Sequence, residues 1–323
     1  MKLHRLEEKE LIEAIRKEFF THQANLELGI GDDAAVIKAG KTYLVITKDL
    51  LLEDVHFLRR LHPSHLLGRK SLNVNLSDLA AMGAEPKYAL LGLGLPFKTE
   101  IEWIEDFFKG FKSAAGKFGV KLIGGDVTRA QKVTVSVTLI GEGKRIIKRS
   151  GAESGHHLFV SGTLGEAREG FLLLKRGFKL GGDKKKDKML KAFLDPTPQV
   201  ELGMRLARLQ LASSMIDISD GLSVDLGHIC KESRCGAEIE KEKLPISSEL
   251  RSVQRRAFDF AMNGGEDYQL LFSVPPSKLY AVYGLKKKYS LTHIGKTIRG
   301  KGIFLIDRRG RRQKLQSRAW QHF

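Results

Sequence analysis

The stretch LGIGDDAAVI, residues 28–37, sets two adjacent aspartates, Asp32 and Asp33, at the mouth of an apolar run. Similar placements recur at Asp49 in VITKDLL, at Asp126 in LIGGDVTR, and at Asp217 and Asp220 in IDISDGL. In each, a strand-like stretch ends and a carboxylate stands at its exit, often beside glycine. Asp78, in NVNLSDLAAMG, shares a helical line with Ser71 and Asn75, while Leu72, Leu76 and Leu79 form another. Converging carboxylates repel by roughly 4 kcal/mol per pair at ~4 Å and an effective dielectric near ~20. Either their pKa values rise or cations join them. Magnesium suits such a set, since it takes hard oxygen ligands and pairs carboxylates with substrate phosphates. Several acids together imply several ions and a polyphosphate. Taken singly, each has an ordinary alternative: Asp220 as a helix cap, Asp126 as a turn residue.

The elements that must position these acids follow from periodicity. Residues 43–49, 88–96, 120–126 and 132–143 read as strands, and 104–119 as a helix ending at glycine. Pro63 to Met82 reads as a helix buried nearly all round, with a polar stripe inside. Glycines and charges cluster at 143–155, and the domain boundary is placed there, dividing the chain into 1–145 and 146–323. The second half predicts a strand and turn from His156, a helix over 166–177, and a flexible charged connection through LGGDKKKDKML at 180–190. A helix over 196–210, a strand–turn–helix over 213–233, and strands at 268–274 and 300–310 follow. Strands and helices mixed in this way, with antiparallel-looking pairs, predict an α+β protein of layered domains.

Composition narrows the function classes. The 323 residues favour two domains, and the net charge is +17. The basic knots at 184–188, 286–288 and 308–312 lack interleaved aromatics, so no nucleic acid is expected. The N-terminal segment has acids throughout and reads as an amphipathic surface helix through Leu11, Ile12, Ile15 and Phe19, not a signal peptide. No apolar run reaches a membrane span. Only two cysteines, Cys230 and Cys235, are present, which suits a reducing, cytoplasmic setting. HIGKT at 293–297 lacks the first glycine of a P-loop, and no G-x-G-x-x-G opens a helix.

The strings GIGDDAAV, NVNLSDLAAMGAEP, LIGGDVTR, IDISDGLSVDLGHI and NGGEDYQLLF together resemble the signature blocks of the thiamine-monophosphate kinase family, in that family's order and spacing. Its wider superfamily, typified by aminoimidazole ribonucleotide synthetase, binds ATP through magnesium-bridged aspartates without a P-loop. The resemblance implies ATP- and magnesium-dependent phosphorylation of thiamine monophosphate to thiamine diphosphate by direct in-line transfer. It also implies a homodimer whose N-terminal sheets join in a barrel across the dimer axis. By motif, it places metal ligands at Asp33, Thr47, Lys48, Asp49, Asp78, Asp126, Asp217 and Asp220. It places ATP contacts at Gly125, Asp126, Arg149 and Ser219, and thiamine-phosphate contacts at His56 and Glu266. No general base is implied.

Two positions depart from the family pattern. Lys48 stands where the strand usually carries threonine. Thr47 and Asp49 share one strand face and Lys48 the other, so the expectation is that position 48 contributes its backbone carbonyl. Near the C-terminus, Ser317 stands where an aromatic would stack on the thiamine, and Trp320 is the substitute. The alternative reading is an inactive or altered-acceptor superfamily member that binds MgATP or a polyanion. The selenophosphate synthetase and hydrogenase-maturation branches are disfavoured, since neither the early nor the terminal cysteine they need is present.

Overall fold

A computed structural model describes residues 8–19 and 23–315. Ser317 and Trp320 lie outside the described residues. Helix α1 (Glu8–Glu18) is the expected amphipathic surface helix, held to the body by Lys231 to Glu13 at 2.8 Å.

Two mixed sheets carry the rest. The first contains β1 (Leu26–Leu28), β2 (Ala35–Ala39), β3 (Thr42–Leu52), β4 (Glu85–Leu95), β5 (Lys121–Arg129) and β6 (Thr134–Gly143). Their order is β1-β2-β3-β6-β4-β5, with β4 and β5 parallel and the other neighbours antiparallel. Along β6, Val135, Val137 and Leu139 are buried, and the residues between them are half-buried. That alternation is the period of a strand with one face on a core.

Helices α2 (Ser64–Ala81) and α3 (Ile101–Phe118) pack together over this sheet. Their crossing is close enough to require glycine. A Cβ on Gly68 would lie 2.0 Å from the Phe107 carbonyl oxygen, and one on Gly110 would lie 1.8 Å from that of His65. Helix α2 matches the predicted 63–82 helix and is buried along most of its length.

The second sheet contains β7 (His157–Ser161), β8 (Ser214–Ile218), β9 (Gly236–Glu240), β10 (Gln269–Val274), β11 (Leu291–Ile298), β12 (Ile303–Ile306) and β13 (Arg312–Lys314). The order is β13-β12-β9-β11-β7-β10-β8, antiparallel except for β12 with β9. HIGKT lies within β11, so it forms no phosphate loop. The helices of this half are α4 (Glu166–Lys175), α5 (Lys184–Leu194), α6 (Val200–Arg208), α7 (Leu222–Glu232), α8 (Ser248–Val253), α9 (Ala257–Asn263) and α10 (Leu279–Leu285).

Helix α5 corrects the expectation of a flexible connection at 180–190. Asp183 caps it, accepting from the backbone N–H groups of Lys185 and Lys186. Met189, Leu190, Phe193 and Leu194 bury against Leu173 and Leu174 of α4. The lysine run occupies the exposed first turn of an amphipathic helix, and the cap plus the apolar face outweigh its repulsion.

The largest core joins both halves. It includes Leu67, Leu72, Leu76 and Leu79 of α2, Val45 and Val137 of the first sheet, Leu202 and Leu206 of α6, Met215 of β8 and Phe272 of β10. Cys230 and Cys235 are free and buried in a second core beneath α7.

Candidate active site

The segment just before β2, helix α2 and strand β8 bring their acids to one place. One carboxylate oxygen each from Asp33, Asp78 and Asp217 lies within 4.8 Å of the others. Hydroxyls orient two of them. Thr47 Oγ1 donates to Asp78 Oδ2 at 2.5 Å, and Ser77 Oγ donates to Asp217 Oδ2 at 2.7 Å. Asn75 Oδ1 accepts the Asp49 N–H at 3.1 Å, so the polar stripe of α2 holds the edge of β3. Arg149 closes the other side: its Nη2 donates to Asp33 Oδ1 at 2.6 Å, and its backbone N–H donates to the Asp32 carboxylate.

The electrostatics match the geometry. Burial, then the Asp33 charge, pushes Asp217 up to about 8. Burial raises Asp49 to about 6, and burial with the neighbouring Asp33 raises Asp32 to about 7. Asp78 stands well above the usual carboxylate range through burial and the charges of Asp49, Asp217 and Asp33. Asp33 is also raised by burial, despite the Arg149 guanidinium. Its Oδ2 is buried with no hydrogen-bond partner. A cluster of acids that resists ionisation, with an orphaned oxygen inside it, fits a divalent cation.

A cleft of about 610 Å³ opens beside the cluster. Asp49, His56, Ser219, Asp220, Glu266 and Arg168 line its polar part, and Phe171, Phe193 and Phe260 its apolar wall. Backbone bonds lace the two loops that carry these groups. Glu266 N–H donates to the Ser219 carbonyl at 2.7 Å, and Tyr268 N–H to that of Ile218 at 2.8 Å. Glu266 and Tyr268 have φ of +67° and +48°, a conformation that non-glycine residues hold only when surroundings impose it. His56 Nδ1 accepts from the Leu52 N–H at 3.0 Å, which leaves Nε2 to carry the proton of the neutral ring.

Residues 31–142 match the family AIR synthase related protein, N-terminal domain, and residues 153–308 match its C-terminal domain. The thiamine-monophosphate kinase of Aquifex aeolicus (strain VF5) is 35% identical over 333 residues, covering 100% of both chains. The chain belongs to the thiamine-monophosphate kinase family. Another relative, the thiamine-monophosphate kinase of Escherichia coli (strain K12), is 41% identical over 255 residues, 78% of this chain and 77% of that one. The solved structure of AaThiL complexed with AMPPCP and TMP superposes with a TM-score of 0.89 at 34% identity, covering 100% of this chain and 99% of that chain.

The positions that resemble those of thiamine-monophosphate kinase do not all meet. Asp33, Thr47, Asp49, Asp78, Asp217 and Arg149 surround the cluster, while His56, Ser219, Asp220 and Glu266 face the cleft. Lys48 is exposed between buried Thr47 and half-buried Asp49, as strand alternation requires. Gly125 and Asp126 lie apart. Asp126 is exposed on β5, paired with Gly92, which pairs with Ser136, which pairs with Leu50. Three strand spacings put it roughly 14 Å from β3. Gly125 cannot be another residue, since its φ is +155° and a Cβ would lie 1.9 Å from the Leu91 carbonyl oxygen.

Sequence reasoning missed Asp225 and His228, which form a second group with Asp220 within 4.8 Å. Asp225 Oδ2 accepts the Gly221 N–H at 3.0 Å, so it serves the start of α7. Their i, i+3 spacing on α7 in SVDLGHI is the signal that could have found them.

Proposed function

We propose that the cleft transfers the γ-phosphoryl group of ATP directly to the phosphate of thiamine monophosphate, giving thiamine diphosphate and ADP. A terminal oxygen of the acceptor phosphate forms the new bond to phosphorus as the β–γ bridging P–O bond breaks. That oxygen is anionic near neutral pH, so no side chain needs to remove a proton, and positioning with charge neutralisation dominates. The observation that carries the reading is the placement of His56, Glu266, Ser219 and Asp220 around one cleft, beside three carboxylates that share a site.

Asp33, Asp78 and Asp217, with Asp49 and Asp220 at the cleft, would hold magnesium, which when bound shields the charges of the two phosphate groups. Thr47 and Ser77 keep the carboxylates in register for that role, and the backbone carbonyl of Lys48 is assigned as its ligand atom. Arg149 and Ser219 are assigned to the nucleotide. His56 and Glu266 are assigned to the acceptor, whose rings suit the wall of Phe171, Phe193 and Phe260. Ser317 and Trp320 keep their assignment to the acceptor.

We assign the chain to a homodimer and divide it at 145/146. Strand β5 supports the dimer: it is an exposed edge carrying Leu122, Ile123 and Val127 at 47%, 56% and 66% exposure. A partner's sheet closing on that edge into a barrel would remove it from water, and edges of this kind are otherwise protected. Gly125 and Asp126 ride on the same strand, so their nucleotide and metal roles belong to the assembled dimer. No helix among the described residues is long and apolar enough to cross a membrane. Free buried cysteines suit the cytoplasm.

The test is ADP formation with ATP, magnesium and thiamine monophosphate, with free thiamine and other phosphorylated acceptors alongside. Turnover confined to thiamine monophosphate and magnesium, and lost in Asp78→Asn, is expected. Intact MgATP binding without turnover on that acceptor would overturn the assignment.

A further inference from the structure

Among the described residues, Lys70 is the most deeply buried charge that the phosphoryl transfer does not use. Its side chain is 0% exposed, and its Nζ lies 2.7 Å from Glu266 Oε1. The same ammonium sits 3.9 Å above the centroid of the Phe193 ring. Lys70 stands on α2, whereas Glu266 stands on the loop before β10, so this contact ties the first half of the chain to the second. Glu266 is itself 30% exposed and lines the cleft.

A buried ion pair is a weak device for stability, because desolvation cancels much of the attraction and apolar replacements often do as well. Here the pair is asymmetric. The lysine is sealed beneath an aromatic ring, and the carboxylate is presented to the cleft at a positive φ. The bond to Lys70 engages Oε1 and restricts the rotamer of a side chain that lines the cleft. A carboxylate held in place is an acceptor that can select donors or positive charge on the molecule it meets. Phe193 contributes to both ends, as the face under the ammonium and as part of the cleft wall.

We propose that Lys70 is a positioning residue for acceptor recognition: it orients Glu266 from behind and thereby sets the affinity and selectivity for the acceptor, without touching it. The proposal rests on the assignment of Glu266 to the acceptor made above.

The experiment measures KM and kcat for thiamine monophosphate, and KM for ATP, in Lys70→Met, Lys70→Arg, Glu266→Gln and the Lys70→Met/Glu266→Gln double variant. Melting temperature and MgATP binding monitor the fold. Lys70→Met is expected to raise KM for the acceptor by about tenfold or more, with kcat and KM for ATP each changed by less than about threefold. Lys70→Arg, which keeps the charge, should recover part of the loss. The double variant should be no worse than Glu266→Gln alone, because both remove one function. It leaves no unpaired buried charge, so it carries the test even if Lys70→Met does not fold. Equal factors from each single change that multiply in the double would overturn the positioning role while leaving the acceptor assignment intact. An unchanged acceptor KM in Glu266→Gln would overturn that assignment and the proposal with it.

Discussion

Raising the pH of the metal-free protein should destabilise it, and the acid cluster sets the size of the effect. The Asp217 carboxyl moves from an ordinary 3.8 to about 8 in the folded chain. A carboxyl with a raised folded pKa keeps its proton in the fold while the unfolded chain releases it. Its stabilising contribution is therefore full below about pH 4 and is lost as pH climbs through about 8. Between about pH 5 and about pH 8 this one group spans ~3 units at 1.36 kcal/mol each, or about 4 kcal/mol. Coulomb's law gives a comparable scale: carboxylate oxygens within 4.8 Å of one another repel by at least ~3.5 kcal/mol per ionised pair at a dielectric near ~20. Asp32 and Asp49 act in the same direction, and relaxation subtracts, so about 4 kcal/mol stands as the working figure. An unfolding entropy of ~2.1 cal/mol/K per residue converts this, for 323 residues, to about 6 °C. Scanning fluorimetry in chelator should show that fall between about pH 5 and about pH 8.5, and millimolar magnesium at the upper pH should restore it. Asp217→Asn should remove most of the slope. A melting temperature that is flat or rises over this range in chelator, or a slope unchanged by Asp217→Asn, would refute the reasoning.

Two further outcomes follow from single positions. Gly68→Ala should lower stability by about 3 kcal/mol, at the upper end of overpacking, because its Cβ would meet the Phe107 carbonyl at 2.0 Å; denaturant midpoints check this. Lys48→Thr should leave kcat and magnesium dependence within about twofold, as for other exposed substitutions, and a larger gain in magnesium affinity would assign the ligand to the side chain at 48 instead.

Helix α2 could be read from the chain because its burial is written into its composition: leucines on one line, small and polar residues on another, few charges. The acids could be recognised as unusual because carboxylates stood where apolar segments ended. Their meeting could not be read, since Asp33 reaches Asp217 only through two sheets packed on one helix. Helix α5 was hidden because its lysines dominate the local composition, whereas Met189 and Phe193 reveal their face only against α4. Lys70 gave no local sign of its role, for its partner Glu266 is on another sheet's loop. The separation of Asp126 from the other acids was equally hidden, since its motif shows a turn and a carboxylate but not the strand order that carries it to an edge.

The apolar surface shared by α2, α6, β8 and β10 should couple the folding of the two sheets. Cutting the chain between β6 and β7 would leave each fragment with a bare oily face, so the fragments should be insoluble apart and recover only together. Parting the halves would expose that shared apolar surface to water. Nucleotide and product should then leave by the cleft itself, past the loops that carry His56 and Glu266.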